Sequence, residues 1–511
     1  MTASSSTLSD RQALWAFVLG CVAVTAGVVA HLPMFAMARM MHYRLAGMAM
    51  GGTMLIGMGL IVAGVGVAAY GLLPRDLAKQ RAAAAAIEVV APEDARLGWA
   101  HWRLMAVLTI ALVIDVMKPA SLGFTVPGMI GEYGVTKATA SLVPFSALTG
   151  TVAGSFLWGW IADLYGRKAS ILLSAVMFVG TSICGAMPSL AWNIGMCFMM
   201  GLAAGGMLPV TYALLAEMMP SRHRGWALVL VGGLGAVGGY FAASGASAVL
   251  QPVFGWRILW LINLPTGLTL ILLGGLIPES AKFLLARGRR AEAEAVMHRF
   301  GARAASVSRP PASAGSSRDG ARVLATITAL SVTGLVWGLV NFGVLLWLPA
   351  DLVAQGYPVG AASGLLARSA LIACPTVAVA ALLYSRWSSK WALAAAIAAT
   401  LAGLALLVRL EGSPVLPVAL LIVGSNAIIA ILLPFAAESV PLRVRGRATG
   451  WIAACTKGGG LIAQGLSIAG RTPALGTAAA AILVPATLAL ALVAVFGRET
   501  RGLDLRALEA D

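Results

Sequence analysis

The sequence predicts an all-α membrane protein made of two six-helix bundles, preceded by two extra transmembrane helices. Of its 511 residues, 59% are hydrophobic and only 11% are charged, whereas a soluble domain is about 25% charged. Apolar runs of about 20 residues, enough to cross a hydrocarbon layer about 30 Å thick, occur twice before residue 75 and about twelve times after residue 100. An internal repeat then divides most of the chain into two similar halves.

The repeat is carried by two copies of one motif. Residues 217–225 read EMMPSRHRG and residues 438–446 read ESVPLRVRG, which share the pattern E-x-x-P-x-R-x-R-G. We call the constant spacing between the two copies, from Glu217 to Glu438, the repeat offset. Parallel repeats around a cavity in the middle of the membrane are typical of transporter folds. We therefore expect each half to form one six-helix bundle.

Apolar runs and the polar stretches between them set the predicted boundaries. We assign the chain to a two-helix hairpin (1–75), a polar linker (76–103), a first bundle (104–277), a central loop (278–325), a second bundle (326–497) and a tail (498–511). The helices of the two bundles are numbered core helices 1 to 12. By the positive-inside rule, the basic loops and both termini are expected in the cytoplasm. Membrane orientation, rather than binding of nucleic acid, then explains the net charge of +16.

Cysteine and histidine give no sign of a metal or redox site. The five cysteines lie in apolar runs without C-x-x-C spacing, and the five histidines are scattered along the chain. The sequence shows no paired base and nucleophile either. We expect no cofactor, no metal and no enzymatic activity.

A charged loop between two apolar runs resembles a family signature. Residues 159–168 read GWIADLYGRK, which is similar to the loop between helices 2 and 3 of the major facilitator superfamily. The doubled motif, PES at 278–280 and ETRG at 499–502 agree with this resemblance, and they are closer to the sugar-porter and metabolite:proton symporter branches than to the drug exporters. The resemblance covers about residues 100–505 and implies transport by rocking of two six-helix bundles.

The resemblance also implies that these motif loops gate the transporter. A carboxylate such as Asp163 is disfavoured at the end of a helix, and Arg167 can reach a carboxylate such as Glu217. Pairs of this kind can stabilise one state of a gate, although static helix-end charges are an alternative. Tyr384 stands where a repeat of Asp163 is expected, so the latch is predicted to be asymmetric. The predicted gating residues are Gly159, Asp163, Gly166, Arg167, Lys168, Glu217, Arg224, Glu438 and Arg445.

Four ionisable residues are predicted to lie within membrane spans: Asp115 and Lys118 in core helix 1, Arg368 in core helix 8 and Lys457 in core helix 11. Each costs about 2.5–3.5 kcal/mol at a helix centre, so these residues need partners or water. One carboxylate against three cations leaves about +2 charges, which favours an anionic substrate. We expect Arg368 and Lys457 to bind the anion, Asp115 to carry the coupling proton and Lys118 to hold Asp115.

Two polar residues complete the predicted site, Asn341 in core helix 7 and Gln464 in core helix 11. Aromatic-acid symporters of the superfamily carry D-x-x-D on helix 1, whereas residues 115–118 read DVMK, so this chain replaces the second carboxylate. Two alternatives stay open within the site. Arg368 can extend to the headgroups near the outer end of its helix, and Asp115 with Lys118 can form a purely structural pair.

Together these features predict a secondary transporter of a small organic anion in the cytoplasmic (inner) membrane, working by alternating access and coupled to protons by symport. The expected partners are the anion, protons and the lipid bilayer, with no nucleic acid, and the protein is expected to be a monomer. A drug or sugar exporter or antiporter of the same superfamily is the alternative function. A transporter-like sensor is a further alternative from another class.

Overall fold

A computed structural model describes residues 10–73, 87–90, 96–306, 317–409 and 414–501. These residues are helical apart from loops and one pair of short antiparallel strands, β1 (Ile87–Val90) and β2 (Arg303–Ser306). The strands lie in the predicted linker and central loop, where the sequence predicts no strand, and they join these two segments. Parts of the predicted linker, loop and tail lie outside the described residues, namely 76–86, 91–95, 307–316 and 502–511.

Two packed helices form the predicted N-terminal hairpin. A Cβ at Gly27 would lie 2.5 Å from the carbonyl oxygen of Gly57, and one at Gly64 would lie 2.8 Å from that of Gly20. Glycines spaced seven residues apart on each helix therefore let the two backbones touch. The first arm comprises Asp10–Val29, Leu32–Met37 and the 3₁₀ turn Ala38–Met41, and the second arm is Gly52–Leu72.

The twelve core helices are all present. Core helices 1 to 6 are Trp99–Tyr133; Lys137–Ala140 with Leu142–Tyr165; Arg167–Gly180 with the 3₁₀ turn Thr181–Ala186; Leu190–Ala204 with Met207–Met218; Ser221–Phe254; and Ile258–Leu261 with Asn263–Gly274. Two short helices follow in the central loop, Ala281–Ala286 and Arg290–Phe300. Core helices 7 to 12 are Ser317–Leu339 with the π-helical turn Val340–Leu345 and Leu346–Ala354; Val359–Leu382 with the π-helical turn Leu383–Trp387; Ser389–Val408; Val415–Ser439; Leu442–Ile468; and Leu475–Phe496.

Twelve helices among the described residues are long and apolar enough to cross a membrane. They are both hairpin helices and core helices 1 to 5, 7 to 10 and 12. Core helix 6 is apolar but shorter, and core helix 11 is less apolar because it begins with a basic turn and contains Lys457. Each of the fourteen predicted spans therefore corresponds to a helix, and the chain is a multi-pass membrane protein of the predicted all-α class.

Residue contacts divide the chain into two compact units. Unit 1 contains the hairpin, and a Cβ at Gly180 of core helix 3 would lie 2.9 Å from Cγ2 of Ile61 in the hairpin. Unit 2 contains the second part of core helix 1, the first part of core helix 2, core helix 5 and core helices 7 to 12. Unit 1 comprises Met1–Ile114, Gly150–Pro220 and Arg257–Val307, and unit 2 comprises Asp115–Thr149, Ser221–Trp256 and Ser308–Asp511. The units do not coincide with the predicted bundles, whose boundaries stay a prediction.

Candidate functional site

Core helices 7 and 11 cross at a pair of glycines in unit 2. A Cβ at Gly338 would lie 2.1 Å from the carbonyl oxygen of Thr456, and a Cβ at Gly459 would lie 2.1 Å from that of Leu335. No side chain fits at these distances, so the glycines allow the two backbones to touch. This close crossing fixes the position of the neighbouring Lys457.

Lys457 lies against two aromatic rings of core helix 7. Its Nζ atom is 5.4 Å from the ring centroid of Trp337 and 5.2 Å from that of Phe342. The two rings meet edge to face, with centroids 5.6 Å apart. An ammonium group within about 6 Å of a ring is attracted by the ring quadrupole, more strongly where water is excluded. The half-buried charge of Lys457 is therefore held in place by the aromatic pair.

A π-helical turn, Val340–Leu345, positions Phe342. Such turns alter side-chain directions and change the backbone hydrogen-bond pattern, and they are frequent at functional sites. The carbonyl oxygen of Phe342 accepts a hydrogen bond from Nε2 of Gln464 at 2.5 Å, and Oε1 of Gln464 accepts one from the indole of Trp347 at 3.2 Å. Gln464 is fully buried, and its amide joins the turn to Trp347 in the helical segment that follows. Asn341 lies in the same turn and is half-buried.

Asp115 and Lys118 of core helix 1 belong to the same unit. Asp115 is 5% exposed and Lys118 is completely buried. The Asp115 carboxylate interacts electrostatically with Lys457 and, less strongly, with Lys118. Its Oδ1 atom is buried without a hydrogen-bond partner among the described residues, and so is Nε1 of Trp337. Unsatisfied buried polar atoms are unfavourable, so a proton or a ligand that supplies the missing bond gains binding energy here.

We call Asp115, Lys118, Trp337, Phe342 and Lys457 the central cluster. It unites three of the four ionisable residues predicted for the site. The cluster combines two ammonium groups, one carboxylate and two aromatic rings in the interior of unit 2. This combination can bind a small anion that has an apolar or aromatic body.

Arg368 is placed differently from the central cluster. Its side chain is exposed on core helix 8, on the same face as Leu371 and Ile372, which follow it by three and four residues and are 59% and 54% exposed. Apolar side chains exposed on a membrane helix indicate a face turned toward lipid. Among the described residues, no hydrogen bond or ion pair joins Arg368 to the central cluster. This placement agrees with the alternative in which Arg368 extends to the headgroups.

A second group of charges lies where core helix 3 begins, in unit 1. Nη2 of Arg167 is 3.3 Å from Oε1 of Glu217, which is the contact expected from the sequence. Oε2 of Glu217 accepts a hydrogen bond from the hydroxyl of Ser280 at 2.5 Å. Oε1 of Glu279 accepts hydrogen bonds from the backbone N–H groups of Arg167, at 3.0 Å, and Lys168, at 3.3 Å. We call Arg167, Glu217, Glu279 and Ser280 the first-repeat cluster.

Glu279 caps core helix 3 from a distant part of the sequence. Gly166 precedes the helix with a φ of 96° and has no side chain that could accept the free N–H groups. A Cβ at Gly166 would lie 2.7 Å from Oε2 of Glu279, so only glycine lets the carboxylate approach. The helix dipole and the free N–H groups favour a carboxylate here. Burial nevertheless raises the pKa of Glu279, although these hydrogen bonds and the charge of Lys168 oppose the rise.

Glu499 caps core helix 9 in unit 2 in the same way. Its Oε1 atom accepts a hydrogen bond from the backbone N–H of Ser389 at 3.0 Å, and its carboxylate also accepts bonds from the hydroxyls of Ser388 and Ser389. The hydroxyl of Ser388 in turn accepts the backbone N–H of Trp391 at 3.0 Å. Burial acts to raise the pKa of Glu499, but hydrogen bonds from Ser388, Ser389 and the Arg501 backbone outweigh it and lower the pKa to about 2.

Glu438 occupies the place of Glu217 in the second repeat. It accepts hydrogen bonds from the phenol of Tyr384 and from Oγ1 of Thr500, the latter at 2.9 Å. A Cβ at Gly225 would lie 2.9 Å from Cε1 of Tyr384, so the glycine of the first motif makes room for this ring. The sequence predicts an asymmetric second copy because of Tyr384, and the structure shows its phenol bound to the repeated carboxylate. We call Tyr384, Glu438, Glu499 and Thr500 the second-repeat cluster.

The other predicted gating residues lie near these clusters in sequence. Gly159 is half-buried in core helix 2, and Arg224 is half-buried at the start of core helix 5. The side chains of Asp163 and Arg445 lie outside the described part of the structure. Sequence reasoning missed the capping glutamates, which contact backbone more than 100 residues away. The signal that could have found them is the repeat, since the spacing of Glu279 and Glu499 differs from the repeat offset by a single position.

Comparison with known proteins assigns the family. The sequence profile of the Major Facilitator Superfamily matches residues 106–464, which is more than half of the chain. The chain belongs to the Major Facilitator Superfamily. This superfamily member is 26% identical over 293 residues to the niacin transporter NiaP of Acinetobacter baylyi. It is 30% identical over 269 residues to the 4-hydroxybenzoate transporter PcaK of Pseudomonas putida.

These alignments cover only part of each protein. They span 52% and 49% of this superfamily member, and 63% and 58% of the two relatives, which is less than two thirds of their length. The partially occluded inward-open xylose transporter XylE from E. coli superposes with a TM-score of 0.63 at 15% identity, over 80% of this chain and 100% of that chain. At this identity the similarity shows the fold alone. It confirms the predicted major facilitator fold, and the family and relatives are transporters rather than enzymes.

Proposed function

We propose that this superfamily member is a secondary active transporter that moves a small aromatic or heteroaromatic carboxylate across the cytoplasmic (inner) membrane together with protons. One observation carries the proposal: Lys457 lies between two aromatic rings and beside Asp115, whose Oδ1 atom has no hydrogen-bond partner among the described residues. A substrate carboxylate can pair with the ammonium group, and its ring can pack on Trp337 or Phe342. The relatives named for niacin and 4-hydroxybenzoate support this substrate class.

Asp115 is proposed as the proton carrier. In the substrate-free protein its carboxylate balances part of the charge of Lys457 and Lys118. A substrate carboxylate at Lys457 competes for that cation, and a proton on Asp115 then restores the charge balance of the buried cluster. Binding of one anion is thereby linked to uptake of one proton. Release of both on the other side of the membrane completes symport by alternating access.

The first-repeat and second-repeat clusters are proposed as latches at the cytoplasmic ends of the helices. Each joins the ends of several helices of one bundle through bonds that can rearrange when those helices shift between states. A change of only a few kcal/mol between states suffices to shift such an equilibrium. The proposal keeps both termini in the cytoplasm and the protein as a monomer.

Transport by purified protein in liposomes tests the proposal. We expect uptake of labelled 4-hydroxybenzoate or nicotinate when an inward proton gradient is imposed. Lys457→Ala should reduce uptake about tenfold to a hundredfold, as expected for the loss of a hydrogen bond to a charged group. Arg368→Ala serves as the matched control, because it removes a cation from an exposed helix face, and it should stay within about threefold of the parent. Unchanged uptake by Lys457→Ala would refute the anion site.

Asp115→Asn tests the coupling step separately. The variant should no longer accumulate substrate in response to a proton gradient, because the side chain cannot gain and lose a proton. Exchange of labelled for unlabelled substrate across the membrane should continue, since exchange needs no net proton movement. If Asp115→Asn still concentrates substrate with the gradient, Asp115 is not the carrier. Uptake of labelled xylose instead of the carboxylates would point to the sugar-transport alternative.

A further inference from the structure

A cavity of about 500 Å³ lies beside the first-repeat cluster in unit 1. Its wall is formed by the end of the second hairpin helix, the start of core helix 3 and the two short helices of the central loop. One part of the wall is apolar, with Leu72, Leu172 and Phe283, and the other part is charged. The cavity therefore suits a ligand that has both an apolar and a charged portion.

Five charged side chains line this cavity: Lys168, Glu279, Arg287, Arg289 and Glu292. Both carboxylates are already engaged. Oε1 of Glu279 accepts hydrogen bonds from backbone N–H groups at the start of core helix 3. Glu292 forms a bidentate ion pair with Arg289, with N–O distances of 2.6 Å and 2.7 Å. Three cations against two carboxylates leave the lining with one net positive charge, and Lys168 and Arg287 are the cations outside the Arg289–Glu292 pair.

The guanidinium group of Arg287 is suited to binding an anion. Its guanidinium carbon lies 4.5 Å from the ring centroid of Phe283, which fixes the plane of the group. Its Nε and Nη2 atoms are buried and have no hydrogen-bond acceptor among the described residues. Burial, partly opposed by Glu279 and reinforced by Arg289, lowers the pKa of Arg287. The neighbouring carboxylates thus supply no hydrogen-bond acceptor for Nε and Nη2 of Arg287.

A phosphate group matches these donors. Adjacent N–H groups of a guanidinium form paired hydrogen bonds with two phosphate oxygens, and an ammonium group can bind a third. The start of core helix 3, a helix of 14 residues, adds a favourable dipole next to Lys168. We infer that the cavity binds a phosphate ester with an apolar portion, held by Arg287 and Lys168. Because the hairpin end closes one side, this site also gives the extra N-terminal helices a role in ligand binding.

Two sources could supply this chemistry, an anionic lipid headgroup or a soluble phosphate ester, and one experiment separates them. The full-length protein is placed in nanodiscs of phosphatidylcholine with increasing phosphatidylglycerol, and its thermal midpoint is measured. In the second arm the nanodiscs contain phosphatidylcholine only, and glycerol phosphate or inorganic phosphate is titrated. Chloride at equal ionic strength, with no sulfate present, is the control. Stabilisation in the first arm alone assigns a lipid headgroup, and stabilisation in the second arm assigns a soluble ester.

Arg287→Gln should weaken the response in the active arm about tenfold in midpoint concentration, because hydrogen bonds between ionised groups are about twice as strong as neutral ones. Arg299→Gln is the matched control, since Arg299 is an exposed arginine of the same loop that does not line the cavity. It should respond as the parent does. Equal responses of parent and Arg287→Gln, or equal effects of phosphate and chloride, would overturn the inference.

A measurement on the parent protein covers the case in which Arg287→Gln fails to fold. Bound phosphate should slow acetylation of Lys168 by an amine reagent, because its ammonium group is then occupied. Lys390, at the start of core helix 9 in the second repeat, is half-buried like Lys168 and is the internal control. Its acetylation should not change with phosphate. Equal slowing of both lysines, or no slowing of Lys168 in either arm, would reject the site.

Discussion

In the first repeat, Glu217 pairs with the guanidinium of Arg167, whereas in the second repeat Glu438 accepts a hydrogen bond from the phenol of Tyr384. The hydroxyls that follow the last helix of each bundle, in Ser280 and Thr500, bind these two glutamates in the same way. The repeat therefore retains the carboxylates and their hydroxyl partners, while one described side-chain donor differs, a guanidinium in the first repeat and a phenol in the second. The first-repeat and second-repeat clusters have one architecture but different electrostatics.

The central cluster differs from both of these regions because its charges have no second copy. The positions one repeat offset away from Asp115, Lys118 and Lys457 hold apolar side chains, namely Val336, Leu339 and Ala236. Repeated residues therefore build the frame that holds helices together at their ends. Unrepeated charges in the middle build the candidate binding site. A departure from the repeat therefore marks the candidate chemistry more clearly than the repeat itself does.

The largest expected difference between the repeats is at Gly166, which directly precedes core helix 3, and at its counterpart Trp387, which lies just before the N-cap Ser388 of core helix 9. Gly166→Ala should lower the free energy of unfolding by about 2–3 kcal/mol, because alanine is strained at a φ of 96° and its Cβ would overlap the carboxylate of Glu279. Trp387, the position one repeat offset further on, lies in a π-helical turn and is 53% exposed. Trp387→Ala should therefore change stability by about 0.5 kcal/mol or less. Chemical denaturation in detergent micelles measures both.

Equal effects of Gly166→Ala and Trp387→Ala would contradict this difference between the two repeats. Gly166→Ala measured in the background of Glu279→Ala separates the two causes, because that background lacks the carboxylate that the Cβ would overlap, while a φ of 96° with a ψ of 162° still suits only glycine. A loss in this background as large as in the parent would show that backbone strain dominates. A smaller loss would show that overlap with Glu279 dominates.

The sequence was sufficient to predict the helices, the family fold and one contact of the site. Hydropathy and length located a helix at each of the fourteen predicted positions, because crossing a bilayer demands long apolar runs. The charge pattern of the motifs identified the Arg167–Glu217 pair. The capping roles of Glu279 and Glu499 were not predictable from local patterns, because a cap supplied by a residue more than 100 positions away leaves no trace in the neighbouring sequence.

Within the central cluster, the sequence identified the charges but not their surroundings. Asp115, Lys118 and Lys457 stand out because ionisable residues are costly in a membrane span. Phe342 did not stand out, since an apolar ring in an apolar run carries no signal, and the π-helical turn that directs it toward Lys457 has no local sequence mark. The same cost argument selected Arg368, although an exposed helix face can also accommodate an arginine.

Salt should distinguish the Arg167–Glu217 contact from the Tyr384–Glu438 contact, each with a coupling energy of about 1 kcal/mol. A double-mutant cycle of Arg167→Met and Glu217→Gln should give a coupling energy of about 1 kcal/mol that decreases between about 0.1 M and 1 M salt, because the partly exposed charges are screened. A cycle of Tyr384→Phe and Glu438→Gln should give a similar energy that is nearly independent of salt, because the phenol is neutral. If both couplings fall equally with salt, the electrostatic difference between the repeats is wrong.

The smallest expected difference concerns pH and the two capping glutamates. The pKa of Glu499 in the folded protein, about 2, lies below its ordinary value of 4.5, so ionised Glu499 adds stability above pH 4.5 that is lost as the pH falls toward 2. Glu499→Gln should therefore cost about 0.5–1 kcal/mol at pH 7, and its deficit should shrink below pH 4.5. Burial raises the pKa of Glu279 above 4.5. Ionisation of this buried carboxyl group therefore costs the parent stability as the pH rises from 4.5 through the raised pKa. Glu279→Gln has no ionisable carboxyl group and should remove this loss. Parallel pH profiles for the two variants would show that the two caps are electrostatically equivalent after all.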